Sequence, residues 1–282
     1  MKLLMIGDVV SQPGCETVRS CLPALKRRFG ADVAIVNGEN SAVGNGILPG
    51  GAEHLLDSGA DVITTGNHAF KRREMYDYFS THEQVLRPAN YPAGTPGSGV
   101  YRYDGGAFSL LVINLQGTSF MEPLENPFTT ADRILREEEK ATFALVDFHA
   151  EATGEKKAMG FYLDGRVSAV FGTHTHVQTA DEEILSGGTA YLTDVGMTGP
   201  ARSALGVKPL CVIERLRTNL PTRFEVDQEA DCRMDGVFAE FDRKTGFCVQ
   251  INRFCARIGA GQTEFSLQIA SERDIIEHIK TR

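Results

Sequence analysis

The segment Val33-Ala34-Ile35-Val36-Asn37-Gly38-Glu39-Asn40 decides the fold. Four apolar residues in a row, three of them β-branched, read as a strand buried on both faces. Acid and amide side chains begin where the apolar run stops. The same order recurs along the chain. Lys2–Ile6 runs into Gly7-Asp8, Val62–Thr65 into Gly66-Asn67-His68, and Phe143–Phe148 into His149. A strand near 167–171 runs into Gly172-Thr173-His174-Thr175-His176. Helical patterns fall between these runs. A turn-rich stretch, Ser11-Gln12-Pro13-Gly14, precedes a helix over about 15–29, with Val18, Leu22 and Leu25 on one face and Lys26, Arg27 and Arg28 in its last turn. A Gly-rich loop over 44–51 leads to a short helix near 52–58, and another helix is expected over roughly 129–141. Further strands are expected at 108–113 and 189–193. Strand–helix alternation of this kind predicts a layered α/β fold.

Past about 205 the pattern becomes strand-like, with a hairpin over Phe238–Asp242 and Cys248–Phe254 joined by Lys244-Thr245-Gly246. Ser271 to Lys280 reads as a short capped helix whose Ile275, Ile276 and Ile279 share one side. That face suits a contact between subunits of a homo-oligomer. No repeat, low-complexity tract or linker divides the chain, so one domain over 1–282 is expected, with 256–282 as a C-terminal extension.

Composition narrows the function. The 282 residues carry 29 Lys+Arg against 37 Asp+Glu, a net charge of −8. This argues against an extended nucleic-acid-binding face, while leaving room for a small phosphate-bearing substrate. No stretch approaches a membrane span, and the N-terminal apolar run is too short for a signal-peptide core. The six cysteines lack any C-x-x-C pair and read as reduced thiols, which together point to a cytoplasmic protein.

The chemistry is written at the strand ends. In an open α/β sheet, loops after the carboxyl ends of parallel strands converge on one crevice. Five such ends deliver Asp8, Glu39, Asn40, Asn67, His149, His174 and His176. Each alone has an ordinary structural explanation: Asp8 a turn, Asn67 a helix cap, His149 a hydrogen-bonded core residue. Together they form a set of nitrogen and oxygen donors too large for one tetrahedral zinc. Two ions sharing the Glu39 carboxylate fit it. With Asp8 and Glu39 as the charged ligands, such a centre keeps about +2, enough to attract a phosphodiester and to acidify bound water. Imidazole, carboxylate and carboxamide donors suit iron, manganese or zinc.

Gly7-Asp8, Asn37-Gly38-Glu39-Asn40, Gly66-Asn67-His68, Asp147-Phe148-His149-Ala150-Glu151 and Gly172-Thr173-His174-Thr175-His176 occur in the block order of calcineurin-like metallophosphoesterases. Through Arg87-Pro88-Ala89-Asn90-Tyr91-Pro92 and Thr193-Asp194-Val195-Gly196-Met197-Thr198-Gly199-Pro200, the chain more closely resembles the YmdB-like bacterial phosphodiesterases over roughly 1–255. The resemblance implies a single four-layer α/β/β/α metallophosphoesterase sandwich. It also implies a dinuclear, di-iron-type centre that hydrolyses cyclic nucleotides such as 2′,3′-cAMP. Carried over by position, one ion falls to Asp8, Glu39, Asn40 and His176, and the other to Glu39, Asn67, His149 and His174. His68 corresponds to the catalytic proton donor, since a departing alkoxide is strongly basic and needs an acid beside it. Departures from the family pattern at Ser11, Gln12, Gly14 and Cys15, at Phe70-Lys71 and at Ala201-Arg202-Ser203 are expected in loops rimming the pocket. They bear on substrate preference, and Arg202 is a candidate partner for a substrate phosphate.

Three other function classes compete with this one. A regulatory protein that keeps the metal fold for ligand sensing or partner docking is the alternative, since the resembled family is associated with developmental control. An amidohydrolase fails because its His-x-His belongs near the N-terminus, whereas here the pair stands at 174. Dinucleotide binding fails because Gly7-Asp8-Val9-Val10 lacks the required glycine spacing. His54, His82 and His278 lie away from the strand ends and read as surface residues.

Overall fold

The computed structural model describes residues 1–228, 231–262 and 264–270, together with the backbone of 277–280. In chain order its elements are β1 (Lys2–Ile6), β2 (Asp8–Val9), α1 (Ser11–Phe29), β3 (Val33–Asn37), α2 (Pro49–Asp57), β4 (Val62–Thr64), α3 (Met75–Thr81), β5 (Val100–Asp104) and β6 (Ser109–Gln116). There follow α4 (Pro127–Glu137), β7 (Phe143–His149), α5 (Thr153–Leu163), β8 (Ala169–Thr173), β9 (Glu183–Ile184), β10 (Ala190–Leu192) and β11 (Met197–Pro200). The last are α6 (Pro209–Thr218), β12 (Cys232–Phe241), β13 (Cys248–Ile258), β14 (Glu264–Ile269) and β15 (Glu277–Lys280). Sheet one runs β15-β14-β13-β12-β1-β3-β4, with β11 joined to β12 and β2 to β11; sheet two runs β5-β6-β7-β8-β10-β9. In sheet one β1, β3 and β4 are parallel, and in sheet two β6, β7, β8 and β10 are.

Side-chain alternation sorts the apolar residues into three clusters, and these define four layers. Leu4, Ile6, Ala34 and Val36 point to α1 and α2, meeting Val18, Leu22, Leu25 and Leu55. Their neighbours Leu3, Met5, Val33 and Ile35 point the other way, onto Leu110, Val112, Leu145 and Phe171 of sheet two. On the far face of sheet two, Leu111, Ile113, Val146 and Val170 meet Ile134 of α4 and Met159 and Leu163 of α5. The result is the α/β/β/α sandwich that the resemblance implied. Both faces of the central strands are buried, which is why their sequences are apolar runs.

Four expectations need correction. α1 begins at Ser11, so Ser11 to Cys15 are helical. Pro13 fits the first turn because it lacks only an N–H that has no partner there. Gly14 is required, since a Cβ would meet the Thr198 carbonyl oxygen at 2.5 Å. α6 occupies a region that reads as strand-like; none of its residues is buried, so no core stripe marks it. α4 spans Pro127–Glu137, started by Asn126, which accepts from the N–H groups of Phe128 and Thr129. Finally, Glu277–Lys280 is a strand paired with β14, which overturns the helix expected there; 271–276 lie outside the described residues. No disulfide links the six cysteines. Among the described residues no helix is long and apolar enough to cross a membrane.

Candidate metal centre

The polar residues gather at the edge where the parallel strands of both sheets end. Sheet one sends Asp8 from β2, Glu39 and Asn40 from the turn after β3, and Asn67 and His68 from the turn after β4. Sheet two sends His149, the last residue of β7, and His174 and His176 from the loop after β8. Gly66 makes the meeting possible. A Cβ there would lie 2.0 Å from the His149 ring, so only glycine lets this turn of sheet one approach a histidine of sheet two.

Two groups of polar side chains share Glu39. In one, His149 Nε2 lies 3.0 Å from Asn67 Oδ1, 3.0 Å from His174 Nδ1 and 3.3 Å from Glu39 Oε1. In the other, His176 Nε2 lies 3.2 Å from Asn40 Nδ2 and 3.7 Å from Asp8 Oδ1. Asn40 Nδ2 also donates to Glu39 Oε1 at 3.0 Å. All seven donors expected from the sequence are therefore brought together. His68 stands beside them: its Nδ1 is 3.0 Å from Glu39 Oε1 and its backbone N–H donates to Glu39 Oε2. Its Nε2 turns toward Asn45, 3.4 Å away.

Burial and neighbouring charge set the protonation states in the metal-free protein. Burial would raise the Glu39 carboxyl, but the His149 charge and hydrogen bonds from His149 and His68 hold it well below the usual range. Burial likewise opposes charge on His149, and Glu39 and Asp8 overcome it, pushing the imidazole up to about 9. His174 goes the other way, down to about 3, through burial and repulsion by His149. Asp8 is raised, chiefly by burial.

Asp8 Oδ1 tests whether a cation fits. This oxygen is fully buried and has no hydrogen-bond partner, while imidazole nitrogens of His176 and His149 stand 3.7 and 3.9 Å away. A buried carboxylate oxygen without a donor is rare, and a metal ion would satisfy it. The donor chemistry agrees, with Glu39, His149 and His174 presenting ligand atoms within 4.8 Å of one another.

An outer layer orients these groups. Asp147 Oδ1 accepts from the Thr173 hydroxyl at 2.7 Å, and that hydroxyl oxygen is 2.9 Å from His149 Nδ1. Asn37 Nδ2 donates to Asp147 Oδ2, and Asn37 Oδ1 accepts from the Glu39 N–H. His174 Nε2 meets Glu151 Oε2 at 2.9 Å. The buried Lys156 ammonium binds Asp194 Oδ2 at 2.6 Å and the Thr173 carbonyl at 2.7 Å. No role for Asp147, Lys156 or Asp194 is legible beforehand. The two aspartates stand inside sequence motifs, but a lysine reads as solvated even where its helical spacing matches Met159 and Leu163.

A family model described as YmdB-like protein matches residues 4–254. The chain belongs to this family. A relative from Bacillus subtilis (strain 168), named 2′,3′-cyclic-nucleotide 2′-phosphodiesterase, is 48% identical over 254 residues, covering 90% of this chain and 96% of the relative. A hypothetical protein of Thermus thermophilus superposes with a TM-score of 0.86 at 43% identity, covering 91% of this chain and 99% of that one. A Mycoplasma pneumoniae structure described as a novel phosphatase gives 0.87 at 32% identity, covering 93% and 95%.

Of the departures from the YmdB-like pattern, the first lies in a helix and the other two in loops. Ser11 to Cys15 lie in α1, with Ser11 and Cys15 buried. Phe70 packs on Tyr76, Phe79 and Tyr91. Arg202 is exposed. His54 and His82 are half-buried, His82 stacking on Tyr78 with ring centres 3.7 Å apart. The side chain of His278 is outside the described residues.

Proposed function

We propose that this YmdB-like protein is a dinuclear-metal phosphodiesterase that opens 2′,3′-cyclic nucleotides, acting on a small soluble substrate in the cytoplasm. The observation that carries the reading is the unpartnered Asp8 Oδ1 within a closed set of nitrogen and oxygen donors from both sheets. The name of the 48% identical relative supports the substrate class.

Asp8, Glu39, Asn40 and His176 would hold one ion, and Glu39, Asn67, His149 and His174 the other. Iron is the first choice, with manganese or zinc also matching the donors. When bound, such ions supply positive charge against the phosphoryl oxygens and acidify water at neutral pH. The chain's own residues do the rest. Glu39 accepts from His68 Nδ1 and fixes the ring, leaving Nε2 directed outward. From Nε2 the imidazolium gives its proton to the ribose oxygen as the ester bond to phosphorus breaks. Asn45, at the end of its glycine-flanked loop, is poised against the same nitrogen, and Arg72 ties that loop down through the carbonyls of Asn45 and Val43.

Hydrolysis of 2′,3′-cAMP by purified variants tests this. Glu39→Ala is expected to abolish turnover, and His68→Ala to lower kcat by about 10²–10⁴-fold with metal content retained. Full activity of Glu39→Ala protein would refute the dinuclear reading.

A further inference from the structure

The loop after β6, which starts beside the metal centre, carries a residue that folding does not explain. Phe120 is 92% exposed, yet its backbone sits at φ 62°, a region that residues bearing a Cβ avoid. An exposed aromatic ring contributes no core burial, and glycine or asparagine would suit this backbone better. The loop is nevertheless held firmly. At its base the buried Asn90 side chain accepts from the Gln116 N–H and donates to the carbonyls of Gln116 and Glu125, at 2.8–3.0 Å. Nearer the tip, Glu155 accepts from the N–H and hydroxyl of Thr118 and from the N–H of Ser119. The ring is therefore presented to solvent on a fixed support.

Its position ties it to the site. Gln116, where β6 ends, stands opposite His149 in the ladder, so the loop starts one strand spacing of about 4.8 Å from a candidate ligand. The next residue, Gly117, donates its N–H to the His149 carbonyl. The other non-glycine residues with left-handed φ include Asn45, His174, His176 and Leu205, all at this edge. Strained backbone that clusters in this way marks a functional surface. Leu205 and Val177 are also exposed there, and the Leu205 carbonyl accepts from His176 Nδ1.

We propose that Phe120 determines specificity by stacking on the base of the nucleotide whose phosphate reaches the metal centre. This rests on the cyclic-nucleotide reading above. Stacking on a rigid aromatic ring suits any base and gives affinity without hydrogen-bond readout.

The protein purified with its metals is titrated calorimetrically with adenosine 3′-monophosphate and with 1-O-methylribose 3-phosphate, which lacks the base. The parent is expected to prefer the nucleotide. Phe120→Ala and Phe120→Gly weaken nucleotide binding about 10-fold or more and leave the abasic phosphate unchanged. Phe120→Tyr keeps the preference, and Phe120→Gly melts no lower than the parent. Equal binding of the two probes by the parent, or a loss in Phe120→Ala shared by both, overturns the assignment. Hydrolysis of 2′,3′-cAMP separates the two readings. A parent that turns it over without any base preference refutes the role of Phe120 alone. A parent that prefers the nucleotide in binding but hydrolyses no cyclic nucleotide refutes the reaction and supports the base site.

Discussion

At the scale of single residues, one hydroxyl governs the most buried histidine. Thr173 gives its hydrogen to Asp147, so its oxygen accepts from His149 Nδ1–H. A neutral His149 therefore keeps its lone pair on Nε2, facing Asn67, His174 and Glu39. Thr173→Val keeps the shape of the side chain and removes the link. Equilibrium dialysis with Mn²⁺ is expected to show an affinity about 10–100-fold lower, with circular dichroism unchanged. Undiminished affinity would mean that packing alone orients the ring. The candidate ligands themselves were legible, because acids, amides and histidines directly after apolar runs break the expectation of core packing. Thr173 was not, because a threonine at a strand end is ordinary and its partner Asp147 lies 26 residues away.

At the scale of elements, the loop after β8 must turn sharply to aim two histidines at one edge. His174 and His176 both have positive φ, 103° and 63°, which is strained for such side chains. Hydrogen bonds hold the turn. Asp8 Oδ2 accepts from the His174 N–H at 3.2 Å, and Asp194 Oδ2 from the Thr175 N–H at 3.0 Å. Asp194 is itself paired with Lys156 of α5, a lysine only 1% exposed. Lys156→Met should leave the aspartate buried without its cation and cost about 3–5 kcal/mol. That would be read as a lower urea midpoint at constant slope; a midpoint unchanged within error would show the pair to be dispensable. α5 also illustrates where sequence reading stops. Its Thr153-Gly154-Glu155-Lys156-Lys157 start carries no apolar residue, and although Lys156 shares a helical face with Met159 and Leu163, its charge reads as solvated. α1 was legible from the helical period of its apolar residues, and the central strands from unbroken apolar runs.

At the scale of the molecule, the candidate centre lies across the seam between the sheets. Asp8, Glu39, Asn40 and Asn67 come from sheet one, and His149, His174 and His176 from sheet two. Ions bound there would fasten the two sheets at that edge, so removing them should lower the melting temperature of the whole protein. The pH dependence has a definite sign. In the metal-free protein His149 is raised to about 9, above its unfolded value near 6.5. The folded state then binds more protons than the unfolded state between these values. Its contribution is complete below about 6.5 and is lost as pH rises toward 9. Metal binding instead requires the deprotonated ring and strengthens over the same window. The difference in Tm between metal-loaded and chelator-stripped protein should therefore widen from about pH 6.5 to about 9. Calorimetry in buffers of different ionisation enthalpy should find about one proton released from His149 per protein molecule loaded near pH 7.5. A Tm difference that stays flat or narrows across the window would mean that His149 does not serve as a ligand and that the seam is held by packing alone.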